Sequence, residues 1–175
     1  MKVPDYISRL KPYTPGKPIE ELESEYGISG SIKLASNENP IGPSPKALEA
    51  IMGALKKLHR YPDGSNYRLR ERLAEKLKIS ASQIVLGNGS NEIIELLVRT
   101  FLREGSEVII PEPSFLMYEI MVQGGGGRPV KVALKERVLD LEGMAEGISS
   151  RTSMIFVNNP NNPTGTIVSR EYFEW

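Results

Sequence analysis

The chain has 175 residues, of which 39% are hydrophobic and 25% charged, the composition of an ordinary globular domain rather than of a disordered segment. Lysine plus arginine equals aspartate plus glutamate at 22 each, so no net charge draws the chain to nucleic acid or to an anionic membrane. With no cysteine and a single histidine, His59, the sequence offers no disulfide, no thiolate nucleophile and no cysteine or histidine metal centre. No stretch resembles a signal peptide or a membrane span, and we expect a cytoplasmic protein without a bound metal.

The first 80 residues divide near Ser44. Residues 1–44 are rich in proline and have few periodic apolar positions, which predicts an extended N-terminal arm. Pro45 suits the first position of a helix that Ser44 would cap, and apolar residues then recur at helical spacing. After a break at residues 61–64, Tyr-Pro-Asp-Gly, the apolar spacing around Leu73 predicts a second helix.

From residue 83 onwards, short β-runs alternate with segments of helix length. The predicted strands are 84–86, 108–110, 130–132 and 153–157, and the predicted helices are 91–104, one from near Ser114, one from about Leu141 and one capped by Ser169. Strands joined by helical crossovers predict an α/β fold with a mostly parallel sheet and flanking helices. The four glycines at 124–127 follow a helix rather than opening one, which predicts a loop and not a phosphate cradle.

Polar residues follow the last predicted strand. Residues 158–165, Asn-Asn-Pro-Asn-Asn-Pro-Thr-Gly, come directly after the apolar run 153–157. The carboxyl end of a strand is where open α/β sheets bind ligands, so this motif is the first candidate for chemistry. Asparagine, proline and glycine also favour turns for backbone reasons, and a simple turn is the alternative interpretation.

A second candidate segment lies between the predicted strand 84–86 and the next helix. Residues 87–92, Gly-Asn-Gly-Ser-Asn-Glu, place free backbone N–H groups and a small hydroxyl at a helix N-terminus, which suits one phosphate group. The segment matches neither the dinucleotide fingerprint nor the P-loop. The alternative is that Ser90 or Asn88 merely caps the helix.

A third candidate, Phe115, lies in the loop after the predicted strand 108–110. An aromatic ring at this place can lie flat on a planar cofactor, although a phenylalanine is more often part of the core. Pro111 and Pro113 stiffen the loop, which favours a fixed surface presented to a ligand.

These segments form one ordered set with others in the chain. The set comprises 33–40 (Lys-Leu-Ala-Ser-Asn-Glu-Asn-Pro), 42–45 (Gly-Pro-Ser-Pro), 61–64 (Tyr-Pro-Asp-Gly), 69–70 (Leu-Arg), 87–90 (Gly-Asn-Gly-Ser), 113–115 (Pro-Ser-Phe) and 161–165 (Asn-Asn-Pro-Thr-Gly). From about Tyr13 to its last residue the chain resembles the pyridoxal-phosphate aminotransferases of fold type I, and among them most closely those acting on histidinol phosphate. The resemblance implies an N-terminal arm at 1–44, small-domain helices and their connection at 45–80, and the first half of a cofactor-binding large domain at 81–175.

The resemblance also implies roles for particular residues. The backbone at Gly89, Ser90 and Asn91 would hold the phosphate of pyridoxal phosphate. Phe115 would stack on the pyridine ring, and Asn162 would hydrogen-bond its phenolic oxygen.

Three further residues would complete the site in a homodimer. Tyr61 would reach the cofactor phosphate of the neighbouring subunit, so that the active sites are shared, and Tyr13 and Asn37 would close over the substrate. Without the resemblance, Tyr61 would be interpreted as a half-buried aromatic at a helix end.

One residue of the family pattern has no counterpart here. The family's Schiff-base lysine follows the Asn-Asn-Pro-Thr-Gly motif in a Ser-Lys segment, so we expect it beyond Trp175 and expect the 175-residue chain to be inactive and to fold poorly alone. The complete protein would transfer an amino group between histidinol phosphate and a 2-oxo acid, 2-oxoglutarate, in histidine biosynthesis. The alternatives are an aromatic aminotransferase, a threonine-phosphate decarboxylase, or a non-catalytic half-domain that binds a partner chain.

Overall fold

The computed structural model describes residues 2–174 and contains helices and one parallel sheet. In chain order the elements are α1 (Asp5–Ser8), α2 (Ile19–Tyr26), α3 (Pro45–Ala54), α4 (Tyr67–Leu77), α5 (Gly89–Phe101), β1 (Glu107–Glu112), α6 (Met117–Gly124), β2 (Arg128–Ala133), α7 (Leu141–Glu146), β3 (Thr152–Ile155) and α8 (Arg170–Phe173). Short 3-10 turns lie at Leu55–Lys57 and Ala81–Gln83. None of the helices within residues 2–174 is both long and apolar enough to cross a bilayer.

The chain forms two compact units. The first takes in the described residues up to Tyr13 and from Val85 onwards, and it contains the sheet. The second is Thr14–Ile84, with α2, α3 and α4. The boundaries at 44 and 80 implied by the resemblance stay a prediction.

The N-terminal arm at 1–44 stays a prediction, but its backbone is not extended throughout, because two helices lie there. Each begins directly after a proline and has acidic residues in its first turn, as at Pro18 before α2, where the positive end of the helix dipole favours them. Gly27 ends α2 in the left-handed conformation, at φ 63°. The high proline content of residues 1–44 favoured an extended segment, so the residues that begin and end these two helices were not recognised from sequence.

The predicted helices of the Thr14–Ile84 unit are present. Pro45 occupies the first turn of α3, although the Ser44 side chain makes no capping hydrogen bond. The break before α4 is held by Asp63, whose carboxylate accepts hydrogen bonds from the Ser65 N–H at 2.9 Å and the Tyr67 N–H at 3.0 Å. These bonds hold the pKa of Asp63 below its ordinary value, with the Ser65 contacts as the largest cause.

The sheet has three parallel strands in the order β2-β1-β3, so the predicted α/β class with a parallel sheet is confirmed. Ile109 in the central strand pairs with Val130 on one side and Ile155 on the other. Val108 and Ile109 are fully buried. Burying a side chain of this size stabilises the fold by about 1.5–3 kcal/mol.

Helices α5 and α6 pack on one face of the central strand. Ile94 and Val98 of α5 form a core cluster with Val108 and Ile110 of β1 and Val122 of α6. This packing fixes α5 and α6, and therefore the loops that lead into them.

Gly124 ends α6, and residues 125–127 form the predicted loop between α6 and β2. A Cβ atom at Gly125 would lie 2.7 Å from Val98, and one at Gly127 would lie 2.7 Å from Leu102. The glycines therefore allow the loop to approach the core closely.

Several sequence-based predictions of elements differ from the structure. The helix predicted at 91–104 begins at Gly89 and ends at Phe101, and β1 and β2 are each longer than predicted. The run 84–86 is not a strand, since it pairs with no strand within residues 2–174 and the Val85 side chain is 72% exposed. The helix expected near Ser114 begins at Met117, because residues 113–116 form the loop that carries Phe115. Strand β3 ends at Ile155, although the Phe156 N–H still donates to the Ile109 carbonyl at 2.9 Å. The Ser169 cap is confirmed, since its hydroxyl accepts from the Tyr172 N–H.

Candidate active site at the carboxyl edge of the sheet

Two loops meet at the carboxyl edge of the sheet. One follows β1 and carries Ser114 and Phe115, and the other follows β3 and carries Asn161 and Asn162. Because β1 and β3 are adjacent and parallel, their carboxyl ends lie side by side. The Ser114 hydroxyl donates to Asn161 Oδ1 at 2.9 Å, which joins the loops directly.

Asn161 makes most of the hydrogen bonds that join the loops and is 2% exposed, while Asn158 Nδ2 adds one bond, to the Ser114 hydroxyl at 3.2 Å. The Asn161 amide nitrogen donates to the Pro113 carbonyl at 3.2 Å and to Thr164 Oγ1 at 2.9 Å. Its Oδ1 accepts from Asn158 Nδ2 at 3.4 Å as well as from Ser114. All the hydrogen-bonding capacity of the amide is therefore used, as burial of a polar group requires.

The sequence predicted a binding role for Asn162 and no separate role for its neighbour Asn161. Asn162 is half-buried, and its side chain has no hydrogen-bond partner among residues 2–174. An amide without an internal partner can bind an external group, whereas Asn161 is committed to the fold. In the sequence, the only signal for Asn161 is its position after a strand. Which of two adjacent asparagines is buried depends on tertiary packing, and the sequence does not show it.

Phe115 is half-buried and contributes to the core. Its ring lies edge-on to Tyr118, with centroids 5.6 Å apart, and Tyr118 stacks on Phe156 at 4.4 Å. Burial raises the pKa of the Tyr118 hydroxyl, so this phenol stays protonated at neutral pH. The cluster fixes the Phe115 ring from one side, and the ring also lines a shallow cavity with Pro113 and Leu116.

The segment expected to hold a phosphate opens α5. Gly89 begins the helix at φ 80°, a conformation that suits glycine. Its N–H donates to the Gly87 carbonyl at 2.9 Å, while the Asn88 N–H donates to the Glu92 carboxylate at 2.5 Å. Neither the Asn88 nor the Ser90 side chain caps the helix, so the capping alternative is wrong.

The free groups at this helix start fit a phosphate. The backbone N–H groups of Ser90 and Asn91 have no acceptor among the described residues, and both residues are exposed. No atom lies within 4 Å of the place where a Cβ of Gly89 would be, so the approach to these amides is open. Two free N–H groups at the positive end of a 13-residue helix are a donor set suited to an anion.

The structure fixes Phe115 and Asn162 relative to each other through Asn161, and α5 packs on α6 through the shared core. Within residues 2–174, no hydrogen bond links the 87–92 segment to the two loops. Tyr13 is exposed in the same unit.

Asn37 and Tyr61 lie in the Thr14–Ile84 unit. Asn37 is exposed in a turn at φ 52°. Tyr61 is fully exposed, so the interpretation of a half-buried helix-end aromatic is wrong, and its side chain is accessible to a ligand or to another chain.

A lysine lies beside the Phe115 loop, at the rim of the same cavity. Lys131 forms ion pairs with Glu112 at 2.8 Å and Glu119 at 2.9 Å. These carboxylates, Glu112 first, hold the pKa of Lys131 above its ordinary value. A lysine kept protonated in this way is a poor nucleophile.

The chain is similar to known proteins along nearly its whole length. The sequence model of the family "Aminotransferase class I and II" matches residues 29–174. Histidinol-phosphate aminotransferase of Desulfotalea psychrophila is 52% identical over 98% of this chain, which covers 45% of that protein. The histidinol-phosphate aminotransferase of Moorella thermoacetica is 47% identical over 97% of this chain and 44% of its own length. The chain thus spans less than half the length of these relatives.

A solved structure has the same fold. The histidinol-phosphate aminotransferase of Sinorhizobium meliloti, solved in complex with pyridoxal 5'-phosphate, superposes with a TM-score of 0.87 and is 28% identical. The match covers 98% of this chain and 46% of that one. The chain therefore belongs to the aminotransferase class I and II family.

Proposed function

We propose that this chain is the N-terminal, cofactor-binding part of a pyridoxal-phosphate-dependent histidinol-phosphate aminotransferase. The observation that carries the proposal is the locked pair of loops, one with Phe115 and one with Asn162, at the edge where parallel sheets bind ligands. The names of the relatives at 52% and 47% identity support it, as does the pyridoxal 5'-phosphate bound to the Sinorhizobium enzyme.

The proposed reaction is transfer of an amino group between histidinol phosphate and imidazole-acetol phosphate, with the glutamate and 2-oxoglutarate pair as the second substrate couple. Pyridoxal phosphate supplies the electron sink for this chemistry when it is bound. The protein must then anchor the phosphate, fix the plane of the ring and bind the phenolic oxygen.

Different residues of this chain perform these three tasks. The N–H groups of Ser90 and Asn91 hold the phosphate, since the Gly89 N–H is already donated to Gly87. Phe115 covers one face of the pyridine ring, and the Asn162 amide donates to the phenolic oxygen.

The proposed assembly is a cytoplasmic homodimer with shared sites. Tyr61 reaches the cofactor phosphate of the partner subunit, and its complete exposure within its own chain supports this role. Tyr13 and Asn37 close over the substrate.

The test is substrate selectivity of the protein made from its complete reading frame. We expect kcat/KM for histidinol phosphate with 2-oxoglutarate to exceed that for phenylalanine by at least about a hundredfold, because a site that pairs a phosphate is left with unpaired charges when the phosphate is missing. A preference for phenylalanine would assign an aromatic aminotransferase. Loss of carbon dioxide from threonine phosphate would assign a decarboxylase, and failure to bind pyridoxal phosphate would contradict the proposal.

A further inference from the structure

We infer that Asn161 is a positioning residue that sets Phe115 and Asn162 against the same cofactor ring without touching the cofactor. This inference rests on the proposed function, and it explains why the motif contains two adjacent asparagines with opposite environments. One is buried and fully hydrogen-bonded, and the other is half-buried without an internal partner.

The geometry gives Asn161 this role. Through Pro113 and Ser114 it holds the backbone and the side chain of the two residues that precede Phe115. Its own backbone is fixed by the Gly165 N–H, which donates to its carbonyl at 2.7 Å, and by its N–H, which donates to the Thr166 carbonyl at 2.9 Å. A shift of the Asn161 side chain would therefore move Phe115 and Asn162 together.

The loop is fixed independently at its other end. Asn159 donates to the Val168 carbonyl at 3.2 Å and accepts from the Val168 N–H at 3.1 Å, and within residues 2–174 its side chain makes no hydrogen bond to the Phe115 loop. Asn159 is therefore a matched control, since it is an asparagine of the same loop that holds the segment but does not bridge to β1.

The first experiment measures hydrogen exchange in the cofactor-free, full-length protein. Ser114→Ala removes the hydroxyl that donates to Asn161 while leaving the loop after β3 unaltered in sequence. The same hydroxyl also accepts from Asn158 Nδ2 at 3.2 Å, so two hydrogen bonds are lost. We expect exchange at the Asn161 and Gly165 amides to rise about tenfold, a net loss of about 1.4 kcal/mol. Ser114→Thr keeps the hydroxyl and should restore slow exchange, and Asn159→Ala should leave residues 113–118 unchanged. Faster exchange confined to residues 113–118 in Ser114→Ala would overturn the coupling between the loops.

The second experiment is a double-mutant cycle on pyridoxal phosphate affinity. Ser114 can act through both Phe115 and Asn162, so Ser114→Ala should weaken binding about tenfold in the wild type and by a smaller factor when Asn162→Ala is already present. Equal losses in both backgrounds would mean that Ser114 does not act through Asn162, and the inference would be wrong. If Asn162→Ala alone left the affinity unchanged, the proposed function would fail, and the exchange experiment alone would decide whether Asn161 couples the loops.

Discussion

Asn162 has a side chain that the fold does not use. Its amide makes no hydrogen bond within residues 2–174, so Asn162→Ala should cost the cofactor-free protein less than about 0.5 kcal/mol of unfolding free energy. Loss of one hydrogen bond to a charged cofactor oxygen costs about 1.5–3 kcal/mol, so the affinity for pyridoxal phosphate should fall about 10- to 100-fold. Cofactor titration and urea unfolding of the same variant measure the two effects.

The neighbouring residue provides the opposite control. Asn161→Ala leaves the Ser114 hydroxyl and the Pro113 carbonyl without their partner, so it should lower the unfolding free energy by about 1–3 kcal/mol even without cofactor. If Asn162→Ala were the more destabilising of the two, Asn162 would be a turn-forming residue and not a ligand-binding one.

Lys131 is the lysine that lines the cavity beside Phe115. Because Glu112 and Glu119 hold its pKa high, we expect reduction with borohydride in the presence of pyridoxal phosphate not to modify Lys131 stoichiometrically. We expect the same of the other lysines of this chain, since none of them matches the family's Schiff-base segment. Peptide mapping of the full-length protein should locate the label outside residues 1–175. Stoichiometric label at one lysine of the chain would contradict the sequence-based expectation about the Schiff-base lysine.

Residue types and their order were sufficient to select the candidate residues, but not to separate their tasks. The motif 158–165 could be placed after a strand from sequence, since the apolar run before it is clear. Which asparagine is buried depends on the approach of the Pro113 carbonyl and the Ser114 hydroxyl, which lie 48 and 47 residues from Asn161 in the chain. Such contacts between distant segments leave no local signal.

At the scale of elements, the opposite edge of the sheet depends on one carboxylate. Glu107 at the start of β1 accepts from the Ser149 hydroxyl at 2.6 Å and from Arg151 at 2.6 Å, just before β3. These bonds, that of Ser149 first, hold the pKa of Glu107 below its ordinary value. The ion pair thus fixes the start of β3 against β1.

The pH dependence follows from the direction of that shift. Glu107 binds its proton less readily in the folded state than in the unfolded state, so its contribution is complete above the unfolded pKa of about 4.3 and is lost as pH falls through the lower folded pKa. Glu107→Gln should therefore be less stable than wild type at pH 7, with the difference shrinking towards pH 3. Urea unfolding across this pH range measures the difference in stability. A difference that stays constant with pH would show that the charge of the Glu107 carboxylate does not contribute to stability.

The elements were predictable where local pattern and long-range pairing agree. Strands β1, β2 and β3 have apolar runs and also neighbours, and each was expected within a few residues of its place. The run 84–86 is also apolar but has no paired strand within residues 2–174, and a strand forms only where another strand offers its backbone groups. Composition alone does not carry that information.

At the scale of the whole molecule, the chain leaves much apolar surface exposed. On α3 and just after it, Leu48, Ile51, Leu55 and Leu58 are exposed, although their helical spacing predicts a buried stripe. Their helical periodicity could be identified from sequence, but the sequence of the helix does not show which segment packs on this apolar face.

Tyr61 links the two halves of the proposed dimer. If it binds the phosphate of the partner's cofactor, Tyr61→Phe should weaken cofactor affinity about tenfold or more through one lost charge-assisted hydrogen bond, without altering the unfolding of the chain, since the side chain is fully exposed. Direct titration of the homodimeric variant measures the loss.

Mixed dimers show in which subunit Tyr61 acts. Heterodimers are purified with one subunit carrying Tyr61→Phe and the other Asn162→Ala, and are titrated with pyridoxal phosphate. If Tyr61 acts across the interface, both defects fall in the same site, so half of the sites retain wild-type affinity and the other half bind much more weakly. If Tyr61 acts within its own subunit, each site carries one defect and no site of wild-type affinity remains, an outcome that would contradict the shared-site proposal.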